Sequence, residues 1–227
     1  MDGGRSVSGA TGPGRTDVER LRAALRRLKT EGSAILVVGQ VPGAVAERAA
    51  SGLFGTAADR RRVVVRTEGS RTRPTDGAWV VDWQTADDGF TRSATAGGPP
   101  PDGDESVPSA AALTRATLSA IDDAVGGDPD PGRLRVGVGS LVPLVIATSA
   151  ETAFRVVHVL TGATRNRRGI CHVHLPLERD AEVVRTFEPL FDVTVEVRET
   201  PSGPSQRWHV HDADVVTDWL HLDEVHL

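Results

Sequence analysis

Apolar residues in this chain come in short unbroken runs, and between the runs they recur every three or four positions. Such runs, bounded by Gly, Pro and polar clusters, are buried strands, and the longer period is the apolar stripe of a helix. The pattern predicts strands at 34–38, 62–66, 79–83, 134–138, 169–175, 193–198 and 206–211, with helices at 16–31, 44–54, 109–125, 150–161 and 181–190. In the first helix Val18, Leu21, Leu25 and Leu28 form the stripe, Arg20, Arg22, Arg26, Arg27 and Lys29 occupy the other faces, and Gly32 ends it. Thr16 and Glu19 have the spacing of a capping box at its start. The last strand follows the turn Pro201–Pro204 and is expected to run antiparallel. Strands separated by helices of about 10 to 15 residues imply βαβ units and a mainly parallel sheet covered on both faces, a three-layer α/β domain.

Two stretches do not fit the alternation. Residues 1–15 are rich in Gly, Ser and Thr and read as a disordered tail, which leaves 16–227 as a single domain. Residues 87–108 hold three consecutive Pro among Gly and acidic residues, and a mobile loop is expected there.

Composition narrows the class. The chain has 227 residues, 39% hydrophobic and 25% charged, and no run approaches the roughly 18 apolar residues that span a bilayer. The first residues lack the apolar core of a secretory signal, and a single Cys171 excludes an internal disulfide framework, so a cytoplasmic location is expected. The net charge of −5 is unevenly spread: residues 1–75 carry 14 basic and 7 acidic residues, the remainder 12 and 24. Opposite patches of this kind suit a protein partner or self-association, whereas the acidic whole disfavours nucleic acid.

The segment GQVPGAVAE at 39–47 directly follows the strand at 34–38 and leads into a helix, which is the setting of a phosphate-cradling P-loop. The working pattern G-x-x-x-x-G-K-[S/T] needs a Lys to neutralise phosphate and a hydroxyl to hold Mg²⁺. Counted from Gly39, its three closing positions are Ala44, Val45 and Ala46. A vestigial nucleotide site would use Gly39, Gln40, Pro42, Gly43 and Ala44, chiefly through backbone. A later strand in such folds ends in an acidic residue that holds Mg²⁺; here the strand at 134–138 is followed by Gly139 at that place. Glu68, after the strand at 62–66, has the position of a water-activating Glu, but without the Lys and Asp it reads as structural. ATP is therefore not supported as a cofactor, and no catalytic residue is assigned.

Other candidates are weaker. His172 and His174 share one face of a strand, and His209 and His211 repeat the spacing on another. Were those strands neighbours with matched faces, the four imidazoles could gather around Zn²⁺, which makes a metal-dependent enzyme the alternative reading. Cys171 points away from His172 and His174 and reads as a core thiol. Ser140 lacks the G-x-S-x-G elbow of a nucleophile, and Leu141-Val142-Pro143 after it is not expected to open a helix. The run Arg165-Asn166-Arg167-Arg168 reads as a solvated turn, with a phosphate contact or an intersubunit arginine as alternatives.

The stretches LRVGVGSLVPLV, ETAFRVVHVLTGATRNRRG and CHVHLPLERDAEVVRTFEPLFDVTVEVRE, all within 134–199, resemble an uncharacterised family of haloarchaeal proteins related to the RecA/KaiC ATPases. The matching positions are Ser140-Leu141, Phe154-Arg155, His158-Val159-Leu160-Thr161-Gly162, His174-Leu175, Leu190-Phe191-Asp192 and Glu196-Val197. The high Asp, Ala, Val and Gly content resembles that of salt-loving archaea. The resemblance implies a RecA-like core with KaiC strand succession. It does not carry over ATPase activity, because Ala44, Val45, Ala46 and Gly139 depart from the active pattern. The implied protein is a degenerate member: a non-enzymatic regulatory or scaffold protein, or a weak nucleotide binder without hydrolysis.

Overall fold

A computed structural model describes residues 15–67, 77–83, 92–94, 109–127 and 130–224. Its elements are α1 (Arg15–Glu31), β1 (Ser33–Val38), α2 (Gly43–Phe54), β2 (Arg61–Thr67), β3 (Trp79–Trp83), β4 (Arg92–Ala94), α3 (Ala110–Val125), β5 (Leu134–Val138), α4 (Val142–Ala147), α5 (Ala150–Asn166), β6 (Ile170–Leu175), α6 (Glu182–Phe187), β7 (Val193–Thr200), β8 (Gly203–Val210), β9 (Val215–Val216) and β10 (Leu220–His221). A 3-10 turn at Glu188–Leu190 follows α6.

The strands form one sheet in the order β10-β8-β7-β1-β6-β5-β2-β3-β4, with β9 also pairing with β8. From β7 to β3 every neighbour is parallel, and β8 and β4 add antiparallel margins. Every residue of β1, β5 and β6 is buried, as unbroken apolar runs covered on both faces should be. Alternate residues divide between two cores. Ala34, Leu36 and Val38 pack with α3, α4, α5 and α6, whereas Ile35 and Val37 pack with α1 and α2 through Leu28, Val45, Ala49 and Leu53. The predicted three-layer α/β domain is thus the observed one.

Several expectations are corrected. Val142–Ala147 does form a helix, because Pro143 sits in its first turn, where a missing N–H costs nothing. Part of the expected loop at 87–108 is β4, which pairs antiparallel with β3; the rest lies outside the described residues, as do residues 1–14 of the expected tail. The capping box at Thr16 cannot be placed, since those side chains are also outside the described set, and α1 begins one residue earlier. β8 starts at Gly203, so the hairpin is tighter than the predicted turn. Among the described residues no helix is long and apolar enough to cross a membrane.

Candidate functional site

Gly39 is held by packing. Its N–H donates to the Leu177 carbonyl (2.9 Å), its φ is +122°, and a Cβ on it would lie 2.0 Å from the Val197 carbonyl oxygen of β7. Only glycine satisfies both demands. Pro42 then leads into α2, and its carbonyl accepts from Val45 N (2.9 Å) and Ala46 N (3.1 Å), with no side chain capping the helix. Val45 is buried in the core formed with α1, so the place aligned with the P-loop Lys points into packing. Since α2 begins at Gly43, a loop one residue shorter is the other way to align it; Ala44 and Val45 then fall on the Lys and hydroxyl places, with the same chemistry. Gln40, Pro42 and Ala44 are exposed.

The loop opens onto a cavity of 480 Å³ at the carboxyl ends of β1, β5 and β6. In open α/β sheets this is the end that receives ligands, and the volume is that of a small-molecule site. Gly39, Gly43 and Ala46, from the loop after β1 and the start of α2, and Gly139 and Ser140, just after β5, all line it. Val38, Val41, Val142 and Leu177 make much of the wall apolar. The polar lining among the described residues is Glu47, Ser140 and His174, and none is Lys or Arg. Ser140 Oγ accepts from Val142 N (3.3 Å), while Thr67 Oγ1 donates to the Ser140 carbonyl (2.7 Å), which ties the strand end down. From the sequence Glu47 is not singled out, and Ser140 is weighed for chemistry only as a nucleophile. Helical spacing from Gly43 was the only signal for the first.

His174 adjoins this cavity through a buried pair. Its Nε2 lies 3.2 Å from Nδ1 of His172, and one ring donates to the other. Burial lowers the His174 pKa to about 4, and burial together with the neighbouring His174 holds His172 well below the ordinary range, so both are neutral near pH 7. Phe54 of α2 meets the His172 ring edge to face at 4.5 Å. Gly137 makes room for that contact: a Cβ there would lie 2.3 Å from Phe54 Cζ and 2.7 Å from the His172 ring.

The two H-x-H pairs do not converge. His172 and His174 are on β6, His209 and His211 on and just after β8, and β1 and β7 stand between them. Three strand spacings amount to roughly 14 Å. The faces are also opposite, because Ile170 of β6 and Trp208 and Val210 of β8 share the α1/α2 core, leaving the odd-numbered residues of β8 on the far side. His209 stands 3.4 Å from Glu196, and His211 is fixed by Nδ1–H to the Phe191 carbonyl (2.9 Å). Burial, Arg179 and Arg207 lower the His209 pKa, against the pull of Glu196. Among the described residues no group of three or more His, Cys, Asp or Glu is placed to hold a metal ion.

Cys171 is a buried core thiol whose pKa burial raises to about 12. Arg165 donates to Asp192 (3.0 Å), which also accepts from Ala34 N (2.7 Å) and so anchors the start of β1. Arg167 pairs with Asp122 of α3. Both arginines are therefore engaged within the chain, and the expected turn at 165–168 is in part helix, since α5 runs to Asn166. Glu68 lies outside the described residues.

A mainly parallel sheet covered on both faces, with a strand–glycine loop–helix turn facing a second strand end, defines a RecA/KaiC-like fold. The chain belongs to a family of unknown function (DUF7504), whose profile matches residues 32–197. Among solved structures it is similar to the KaiC-like protein PH0186 from the hyperthermophilic archaeon Pyrococcus horikoshii OT3, with 13% identity, 80% of each chain covered and a TM-score of 0.51. At that identity the likeness shows the fold alone. A search of curated protein sequences finds no significant match.

Proposed function

We propose that this chain is a RecA/KaiC-like domain that has shed ATP hydrolysis and acts by binding, as a regulatory or scaffold protein. The observation that carries the reading is the cavity at the carboxyl ends of β1, β5 and β6. Among its described lining residues it has one carboxylate, Glu47, a neutral imidazole and no cation. A triphosphate with Mg²⁺ needs the reverse: a cation and a hydroxyl on the loop and a carboxylate at the strand end. Gly139 supplies no carboxylate, and Ala44, Val45 and Ala46 supply neither cation nor hydroxyl. The physiological occupant is then a protein partner or a second copy of the chain, with complementary charge between the basic and acidic stretches as its attraction.

Calorimetry with ATP and Mg²⁺ on the full chain tests the proposal. No binding below millimolar concentrations is expected. Micromolar binding with turnover that Glu68→Gln abolishes would refute it. A second reading keeps weak nucleotide binding through the backbone of Gln40 to Ala44, favoured by the start of the 12-residue helix α2 at the cavity edge. Nucleotide affinity that persists without Mg²⁺ distinguishes that reading from the first.

A further inference from the structure

We infer that the amino ends of β2 and β5, at the opposite end of the sheet from the cavity, form a binding site for a small oxyanion: a phosphate or the phosphate group of a small ester. Arg62 and Arg135 are register partners in adjacent parallel strands. Their neighbours Val63, Val65, Leu134 and Val136 all belong to the core under α3 and α5, so both arginines project to the α1/α2 face, side by side. Arg62 is 9% exposed and Arg135 only 1%. Arg60 just before β2 and Lys29 in the last turn of α1 stand at the partly exposed rim: burial first and then Arg60 lower the Lys29 pKa, and burial first and then Arg62 lower that of Arg60, against the pull of Asp59.

Backbone carbonyls account for part of this cluster. Arg62 Nη2 donates to the carbonyls of Gly55 (2.7 Å) and Ala57 (3.0 Å) where α2 stops, and Arg60 Nη1 donates to the Gly132 carbonyl (3.2 Å). Cations at helix carboxyl ends are an ordinary arrangement. They leave four buried donors without a partner: Nε of Arg60, Nε of Arg62, and both Nε and Nη1 of Arg135. Asp59 and Asp130 are both paired with Arg133 at the surface (3.2 and 3.0 Å), and Asp59 also acts on Arg60 at the rim, but neither pairs with Arg62 or Arg135. No ion pair reaches Arg135 from any described residue.

A buried histidine escapes such a site by staying neutral, as His174 does, but a guanidinium keeps its charge at any physiological pH. An uncompensated cation in the interior is costly, and leaving it there demands a counter-charge. The donors belong to register partners on two adjacent strands, with Arg60 and Lys29 at the partly exposed rim, so the matching group is compact, multivalent and an acceptor on several sides. A tetrahedral oxyanion meets all three conditions, whereas chloride carries a single charge.

The test is thermal melting and calorimetry of the full chain with inorganic phosphate, with glycerol 2-phosphate, and with NaCl at matched ionic strength. Saturable binding at or below 1 mM phosphate is expected, with a Tm rise of roughly 5 °C at a hundredfold excess over Kd. This is distinct from the unsaturable salting-in-place effect that phosphate has on most proteins at high concentration. Arg135→Met should lose the saturable part and melt several degrees higher than the wild type in NaCl, since it removes the uncompensated charge. Should that variant fail to fold, Arg60→Gln at the rim must weaken phosphate binding at least fivefold. Equal stabilisation by glycerol 2-phosphate assigns the site to a terminal phosphate group, and stabilisation by inorganic phosphate alone assigns it to the free ion. Absence of saturable phosphate binding in the wild type, or its persistence unchanged in Arg135→Met, overturns the inference.

Discussion

The carboxyl and amino ends of the central strands differ in where charge lies. At the carboxyl ends, where folds of this kind receive ligands, an apolar cavity is edged by Glu47, Ser140 and a neutral His174. At the amino ends of β2 and β5 the buried side chains Arg62 and Arg135 lie together, with Arg60 and Lys29 at the rim. The cavity at the carboxyl ends has no cation among its described lining residues, and buried cations lie at the opposite end. Position in a fold and chemistry at that position are therefore separate facts, because the backbone sets the first and a handful of side chains set the second.

The comparison can be broken most severely at Gly39. If the loop survives because Val197 packs against it, Gly39→Ala should cost roughly 3 to 5 kcal/mol by combining a strained φ with a backbone clash, measured by denaturant unfolding. A loss below 1 kcal/mol would mean that the loop moves freely and is kept for a ligand.

A second test concerns the neutral histidines between the two ends. The folded chain keeps His174 uncharged down to about pH 4 and His172 uncharged over the same range, while the unfolded chain takes up protons below about pH 6.5. Stability is thus complete above pH 6.5 and falls as the pH drops toward 4, by on the order of 3 kcal/mol for His174. The double variant His172→Leu, His174→Leu should show a distinctly flatter acid limb. An unchanged slope would place the proton uptake elsewhere.

Gly137→Ala tests whether α2 is seated by the histidine face. The added methyl meets Phe54 and His172, and a loss of about 1 to 3 kcal/mol is expected, with most of it restored by Phe54→Leu in the same chain. Additive losses in the double variant would contradict the shared contact. The smallest effect is expected from Ala44→Lys, which adds one cation at an exposed place beside the cavity. At low salt ATP should bind about tenfold more tightly than to the wild type, equivalent to about 1.4 kcal/mol. No gain would show that the apolar walls exclude phosphate, and the missing cation alone does not.

Much of the site's framework is legible along the chain. The run Ala34–Val38 followed by Gly39 and the run Leu134–Val138 followed by Gly139 mark the two strand ends, and the structure sets both on one cavity. Glu47 was obscured because nothing in a helical stripe tells which partly polar position faces a neighbouring strand end. α4 was obscured by Pro143, which as readily stops a helix as starts one. Arg135 did carry a signal, a single cation inside LRVGV, since a fully buried arginine without a partner is rare.

By itself the sequence determined the central alternation of strands and helices, the apolar character of the central strands and the residues missing from the phosphate pattern, because periodicity and residue identity are local properties. Only the tertiary structure decided that β1 lies between β6 and β7, and that decision separates the two histidine pairs by two strands and puts them on opposite faces. It likewise decided that Arg62 and Arg135, 73 positions apart in the chain, stand side by side with unpaired donors. Strand order is set by the burial of both sheet faces at once, a balance of long-range contacts that no window of the chain contains.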